Sequence, residues 1–314
     1  MNGLRVVKED YISDVRDQLT RYITLEKAKQ SQIAQGTGVS KTAISLFLKG
    51  TYTGNNEELA QKIEQYIHMG LARKTIIKEP DICLSVGNTK DILQKAKIAH
   101  MNNNILLIHG PAGCGKTTAL KYYTKHNNGV IFVEADVTVN SPRSIIMLIL
   151  ATMDEDTKGT TAVMMQRLIR RLTDTNRLII IDEAQHLTTK AFDAIRAIND
   201  KAHVGIVYAG NPEILKRMYG RQEEELDQLY SRVTYKCALK NSHSKEDIAG
   251  IYSGFSFNNE CLKSLQQISK RKGGLRVMVN QCKIAQNLAV AFQEEFNPEH
   301  LIVAAAEMGI GGWR

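Results

Sequence analysis

Two short segments of this 314-residue chain carry residue types that suit phosphate and divalent-metal chemistry. The first, residues 110–117, reads GPAGCGKT, and the second is the acidic pair Asp182 and Glu183, which directly follows four apolar residues. Glycines let successive backbone N–H groups turn toward a phosphate, and a lysine neutralises its charge. Hydroxyl and carboxylate oxygens are ligands that Mg²⁺ prefers. The pattern GxxxxGK[ST] between an apolar run and a helix predicts a nucleotide-binding phosphate loop.

Each polar residue of this predicted site has an expected role. Lys116 would bridge the terminal phosphates of ATP, and Thr117 would ligate Mg²⁺ together with Asp182. Glu183 would orient and deprotonate the attacking water. An ATPase that uses ATP and Mg²⁺ is therefore the expected activity. The predicted nucleotide contacts are Gly110, Pro111, Ala112, Gly113, Cys114, Gly115, Lys116, Thr117, Thr118 and Arg276.

A polar amide and several arginines extend this site. The apolar run 204–209 is followed by Gly-Asn-Pro, so Asn211 should reach the same edge of the sheet as the acidic pair. There it would either help to position the water or cap the next helix. An arginine from a neighbouring subunit would stabilise the charge on the transferred phosphate. Arg232 is the first candidate for this trans-acting role, and Arg217 and Arg221 remain open as alternatives.

Five short, mostly apolar runs predict strands that are buried on both faces of a parallel sheet. They cover residues 105–109, 130–134, 178–181, 204–209 and 233–236. Helical segments separate them, one beginning with Ser141 as N-cap before Pro142, another spanning residues 161–172. This alternation predicts a doubly wound α/β core.

The flanking parts read as helical, which gives a three-domain prediction. Residues 1–72 form an all-α N-terminal domain, 73–88 a linker, 89–240 the nucleotide-binding core and 241–314 a helical lid. Arg276 would contact the nucleotide from this lid. The net charge of +8 is spread along the chain without a basic tail, so nucleic-acid binding must be argued from local features.

Cysteine usage and hydropathy favour a cytoplasmic protein. The five cysteines are scattered and include no CxxC pair, which argues against a disulfide framework and a zinc site. No apolar run approaches the roughly 18 residues that span a bilayer. Acidic residues near the N-terminus interrupt the apolar stretch that a signal peptide requires.

Residues 32–50, QIAQGTGVSKTAISLFLKG, have the spacing of a helix-turn-helix. Gly38 permits the tight turn, and Ser40 would cap the second helix. The exposed face of that helix would meet the major groove or the phosphates of DNA through Lys41, Thr42, Ser45 and Lys49. The alternative is a helical bundle that contacts proteins.

A second basic patch precedes the acidic pair. Arg167, Arg170 and Arg171 have the i, i+3, i+4 spacing that places them on one helical face. Such a face is either solvated or, in an ATPase that stacks around DNA, in contact with phosphates.

The two ATP motifs and Asn211 together form a set of site features that resembles the set found in AAA+ ATPases. Those ATPases work as rings or helical arrays. The order of the predicted parts along the chain, a helix-turn-helix, a short linker, the nucleotide-binding core and a helical C-terminal domain, resembles that of the phage Mu B-type transposition proteins. The resemblance rests on QIAQGTGVSKTAIS, GPAGCGKT, LIIIDEAQHL, GIVYAGNPEI, LYSRV and GGLRVMVN. It implies an AAA+ P-loop core with a five-stranded parallel sheet, an N-terminal helix-turn-helix domain and a C-terminal lid.

The resemblance also implies a function. Such a protein binds double-stranded DNA with little sequence preference, assembles on it as an ATP-dependent filament, and delivers target DNA to a transposase. Weak hydrolysis, stimulated by DNA and transposase, disassembles the filament and gives target immunity. Two other functions remain open at this point: a nucleotide-gated transcriptional regulator, and a secretion- or replication-type ATPase with a protein-docking N-terminal domain.

Overall fold

The computed structural model describes residues 2–75, 80, 82–219, 233–292 and 294–310. The chain divides into two compact units, Met1–Lys78 and Glu79–Arg314, and each is described here by itself. The boundaries predicted at residues 72, 88 and 240 stay predictions.

The N-terminal unit is helical, as predicted. Its helices are α1 (Asn2–Glu26), α2 (Gln30–Thr37), α3 (Lys41–Leu48) and α4 (Asn56–Thr75). All four helices contribute buried apolar side chains to one core, which contains Leu19, Ile33, Ile44, Phe47 and Ile63 among others.

The turn between α2 and α3 has the chemistry expected from the sequence. Gly38 has a φ of 70°, in the left-handed region that favours glycine, and its N–H donates to the Ala34 carbonyl. The Ser40 side chain caps α3 by accepting a hydrogen bond from the Ala43 N–H at 3.1 Å. These contacts hold α2 and α3 as a stiff pair of short helices.

The second unit alternates helices and strands around a parallel sheet. Its first elements are α5 (Gly87–Asn102), β1 (Ile105–His109), α6 (Lys116–His126), β2 (Val130–Glu134), α7 (Pro142–Thr152) and α8 (Thr161–Leu172). They are followed by β3 (Leu178–Asp182), a 3₁₀ turn (Ala184–His186), α9 (Thr189–Ala202), β4 (Gly205–Gly210), α10 (Glu213–Tyr219) and β5 (Val233–Ala238). The strand order is β2-β3-β4-β1-β5, and every pairing is parallel.

Strand burial follows from this order. The central strands β3 and β4 are buried at every residue, whereas the edge strands β2 and β5 alternate between buried and accessible positions. Alternate residues of β1 face opposite cores: Leu107 packs with α7, α8 and α9, and Leu106 packs with α5 and α6. The predicted five-stranded α/β core is therefore confirmed, and each strand lies within two residues of its predicted bounds.

Helices enter the predicted linker from both sides. The α4 helix continues to Thr75, because Ala72, Arg73 and Lys74 are good helix formers. The α5 helix already begins at Gly87, two residues before the predicted start of the core.

Four helices follow the sheet: α11 (Lys245–Ile251), α12 (Asn259–Ser269), α13 (Gly274–Phe292) and α14 (Pro298–Glu307). They share a core of their own that includes Tyr252, Leu265, Met278 and Leu301. The predicted helical character of this part is confirmed. None of the described helices combines the length and the apolar character that spanning a lipid bilayer requires.

Candidate nucleotide site

The glycine-rich loop connects β1 to α6 with a preformed phosphate-binding shape. Gly113 and Gly115 have φ values of 80° and 95°, so the loop needs glycine at both positions. The Lys116 side chain is 8% exposed, and its Nζ donates to the carbonyls of Gly110 at 2.7 Å and Pro111 at 3.0 Å. The lysine is thus held across the loop at the N-terminus of α6, where the helix dipole also attracts phosphate.

Two oxygen-bearing side chains from the two motifs meet beside this loop. The Thr117 hydroxyl donates to Asp182 Oδ2 at 2.6 Å, and Asp182 Oδ1 accepts from the Glu183 N–H at 2.9 Å. Burial raises the pKa of the Asp182 carboxyl above its ordinary value, although the Thr117 hydrogen bond works in the opposite direction. A buried carboxylate with a hydroxyl beside it fits a hard divalent cation, which would relieve this desolvation cost.

Glu183 follows Asp182 at the end of β3 and lines the same cavity as the loop. Its φ of 52° is left-handed, an uncommon conformation for a glutamate, and it turns the chain sharply into the 3₁₀ turn. The Gln185 Nε2 donates to Glu183 Oε2, and Gln185 Oε1 accepts from the Asn211 N–H at 3.1 Å. The acidic pair is therefore connected to the end of β4 through one buried amide.

Asn211 lies at the sheet edge predicted for it and lines the cavity. Its Oδ1 accepts from the Glu213 N–H at 2.8 Å, so the side chain caps the start of α10. Because a primary amide also carries an NH₂ donor, this capping bond leaves Nδ2 to act toward the cavity. The two roles considered for Asn211 are compatible, and its role in positioning water stays a prediction.

The predicted lid rests directly on the phosphate loop. The Leu275 N–H, in the first turn of α13, donates to the Gly113 carbonyl at 2.9 Å. Arg276, the next residue, lines the cavity, and its contact with the nucleotide stays a prediction. Asn88 supports the loop from α5, since its Nδ2 donates to the Cys114 carbonyl at 3.1 Å and to the Lys240 carbonyl at 2.9 Å.

The cavity enclosed by these elements has a volume of about 520 Å³. Its lining includes polar groups from the loop, Glu183 and Asn211, and it also includes the apolar side chains of Ile82, Val86, Ile251, Leu275 and Val279. Such a mixed lining suits a ligand that combines a phosphate chain with an aromatic base.

Among the trans-acting candidates, Arg217 lies exposed on α10. Arg221 and Arg232 fall outside the described residues. The choice between the three arginines therefore stays a prediction.

A cysteine in the cavity lining offers a direct test of nucleotide binding. Cys83 lines the cavity and is partly accessible, whereas the other four cysteines are buried. We expect a maleimide to label the native protein at Cys83, and ATP at ten times its dissociation constant to slow that labelling about tenfold. Mass spectrometry of the labelled peptide measures the rate, with Cys83→Ser as the control. Labelling that ATP leaves unchanged would place the base elsewhere.

The predicted DNA-contacting residues of the N-terminal unit lie on α3 and at its end. Lys41, Thr42 and Lys49 are exposed and Ser45 is half-buried, while Ile44 and Phe47 face the core. The polar side chains thus share the accessible side of α3. Their contact with DNA stays a prediction.

The predicted arginine patch on α8 is largely engaged with nearby carboxylates. Arg167 pairs with Asp156 at 3.1 Å, and Arg171 pairs with Glu155 at 2.9 Å. Arg170 is exposed between them. Because ion pairing offsets two of the three charges, this face attracts phosphates less strongly than the sequence spacing suggests. Contact of these arginines with DNA stays a prediction.

Sequence reasoning missed two residues that organise this site. Gln185 and Asn88 each connect segments that are far apart in the chain, and neither belongs to a motif of the phosphate loop. The signal for Gln185 was its place two residues after Glu183, at the carboxyl end of a buried strand.

Two family models match the chain. An AAA domain matches residues 99–218, and the C-terminal domain of the Mu B transposition protein matches residues 231–308. The chain is 28% identical over 302 residues to the ATP-dependent target DNA activator B of Escherichia phage Mu, an alignment that covers 95% of this chain and 96% of that protein. It is 25% identical over 266 residues to the Mu-like prophage FluMu DNA transposition protein B of Haemophilus influenzae, covering 83% and 93% of the two chains.

Solved structures overlap more loosely. RuvB of Thermotoga maritima aligns with a TM-score of 0.46 at 16% identity, over 71% of this chain and 69% of that one.

The AAA domain contains the loop, the acidic pair and Asn211, and this arrangement makes the chain an ATPase. The resemblance to the Mu B-type transposition proteins is confirmed: residues 231–308 of this ATPase match the model of their C-terminal domain, and the chain is similar to the phage Mu protein along nearly its whole length.

Proposed function

We propose that this chain is an ATP- and Mg²⁺-dependent target-DNA activator for a transposase. One observation carries the proposal: the start of α13, within the Mu B C-terminal domain, is hydrogen-bonded to the phosphate loop through Leu275 and Gly113. The domain that marks these transposition proteins therefore contacts the nucleotide site itself. A change at the loop is communicated to that domain without any intermediate element.

The loop residues bind and orient the nucleotide. Lys116 would exchange its two carbonyl partners for phosphate oxygens, and Thr117 and Asp182 would hold Mg²⁺. The ion, when bound, neutralises charge on the phosphate oxygens. Arg276 approaches the phosphates from α13, and the apolar side chains of the cavity lining exclude water around the base.

Glu183 accepts the proton of the attacking water, because it is the carboxylate that lines the cavity beside Asp182. Asn211 Nδ2 donates to the same water and orients it. An arginine of a neighbouring subunit, with Arg232 as first candidate, completes the charge stabilisation. Hydrolysis then requires assembly, so isolated subunits are expected to hydrolyse ATP slowly.

Binding to double-stranded DNA is assigned to the helix-turn-helix of the domain predicted at residues 1–72, with Arg170 of α8 as an additional contact. One small domain with few exposed lysines binds DNA weakly, but many linked copies along one filament bind it far more tightly, because each further contact is made at a high effective concentration. ATP favours the filament, and hydrolysis releases it. The filament presents the DNA to the transposase, and its disassembly produces target immunity.

The test is assembly on random-sequence duplex DNA. We expect filaments with a slowly hydrolysed ATP analogue and none with ADP, visible by negative-stain imaging and measurable by co-sedimentation. The double variant Lys41→Ala/Lys49→Ala should weaken DNA binding and reduce the slope of log affinity against log salt by about 2, since each phosphate contact contributes about 0.9.

The matched control is the double variant Lys121→Ala/Lys125→Ala. It also removes two positive charges, but from the exposed side of α6 in the nucleotide-binding core. This variant should bind DNA as the parent does. Binding to one defined operator without ATP would contradict the proposal and favour a transcriptional regulator. A complete absence of DNA binding would favour an ATPase that docks proteins.

A further inference from the structure

Gln185 is a buried polar residue that the mechanism above leaves without a role. It lies in the 3₁₀ turn between β3 and α9 and is 6% exposed. Burying a primary amide is costly unless its groups are hydrogen-bonded. At this position both ends of the amide meet residues of the nucleotide site.

The partners of Gln185 determine the orientation of its amide. The Asn211 N–H can only donate a hydrogen bond, and a carboxylate such as that of Glu183 accepts them. The Gln185 NH₂ group must therefore point to Glu183 Oε2, and its carbonyl oxygen to the Asn211 N–H. A residue with only donors or only acceptors could not make this bridge.

The surroundings keep this bridge stiff. The His186 N–H donates to the Glu183 carbonyl at 3.0 Å, and the Leu187 N–H donates to the Ala184 carbonyl at 3.1 Å, which close the turn. Gly210 leaves room for the amide, because a Cβ at this position would come within 2.5 Å of Gln185 Oε1. The end of β4 thus fits around the glutamine.

We infer that Gln185 is a positioning residue for ATP hydrolysis, acting through Glu183. The inference rests on the proposed role of Glu183 as the general base. Gln185 fixes one carboxylate oxygen, Oε2, and leaves Oε1 to accept the proton from water. It also ties this carboxylate to the backbone that carries Asn211, so the two groups that contact the water keep a constant separation.

The first experiment replaces the amide by a side chain of similar length without hydrogen bonds. In Gln185→Met we expect kcat for ATP hydrolysis, measured with DNA present, to fall about 10- to 100-fold, because the base is no longer held in its reactive geometry. The dissociation constant for a slowly hydrolysed ATP analogue should stay within about twofold, since Gln185 does not line the cavity.

Two further variants control for a merely structural effect. His186→Gln changes the next residue of the same turn and should leave kcat unchanged. Gly210→Ala displaces the glutamine amide without altering Gln185 itself, and its φ permits alanine, so it should reproduce the loss in kcat. It also serves as the test if Gln185→Met does not fold.

A double-variant cycle separates this inference from the proposed function. If Gln185 acts through Glu183, adding Gln185→Met to Glu183→Gln should not slow single-turnover hydrolysis further. An unchanged or raised kcat in Gln185→Met, or an additive effect in the double variant, would overturn the inference alone. Wild-type hydrolysis by Glu183→Gln would instead overturn the assignment of the base.

Discussion

The Glu183→Gln variant is expected to bind ATP normally and to hydrolyse it about 100- to 1000-fold more slowly than the parent, since it loses the carboxylate proposed to accept the proton from water. Glutamine preserves the size of the side chain and its place beside the cavity, so Thr117 and Asp182 remain paired. The result is a protein fixed in its ATP-bound state. On DNA, its filaments should persist after ATP is removed from solution, whereas those of the parent dissociate.

Stopped-flow release of phosphate and the decay of DNA-bound protein measure the two effects separately. The comparison variant is Lys116→Ala, which should lose ATP binding as well as filaments, because the role proposed for Lys116 is to bind the phosphates rather than the water. The expectation fails if Glu183→Gln filaments dissociate as fast as those of the parent while ATP still binds.

The core of the fold could be predicted because burial on two faces leaves a clear pattern in the sequence. β3 and β4 are covered by helices on both sides, so their residues form continuous apolar runs. The α5 helix was harder to delimit. Two of its buried positions are Ala96 and Ala99, which give a weak apolar stripe, and it begins with the polar residues Gly87 and Asn88.

In the candidate site, some features lie within one continuous segment and others are contacts between segments that are far apart in the chain. The phosphate loop is one continuous segment between a strand and a helix, so its chemistry is visible in eight consecutive residues. The contact between Gln185 and Asn211 joins positions 26 residues apart. It depends on the strand order, which places the end of β3 beside the end of β4. Hydrogen bonds between different elements have no fixed residue spacing, so they cannot be read from a single sequence.

The close approach of the lid to the phosphate loop predicts a second large effect, in Gly113→Ala. A Cβ on Gly113 would lie 1.9 Å from the Gly273 carbonyl oxygen, and that oxygen belongs to backbone and cannot rotate away like a side chain. The φ of 80° adds strain of about 1–2 kcal/mol for alanine. The first turn of α13 must therefore shift, and the hydrogen bond from Leu275 to Gly113 is lost.

Together these terms should lower the free energy of unfolding in the absence of nucleotide by about 3 kcal/mol, with strain, a broken hydrogen bond and displaced packing each contributing about 1 kcal/mol. Gly115→Ala is the matched control, since its φ of 95° imposes similar strain but nothing lies within 4 Å of the added Cβ. We expect it to lose about 1 kcal/mol.

Urea unfolding compares the two variants, and hydrogen exchange at the Leu275 amide reports the lid contact. Equal losses in both variants, with Leu275 still protected, would mean that α13 does not rest on the phosphate loop. A larger loss in Gly113→Ala with faster exchange at Leu275 would establish that the start of α13 is held against the phosphate loop, which is the contact on which the proposed function depends.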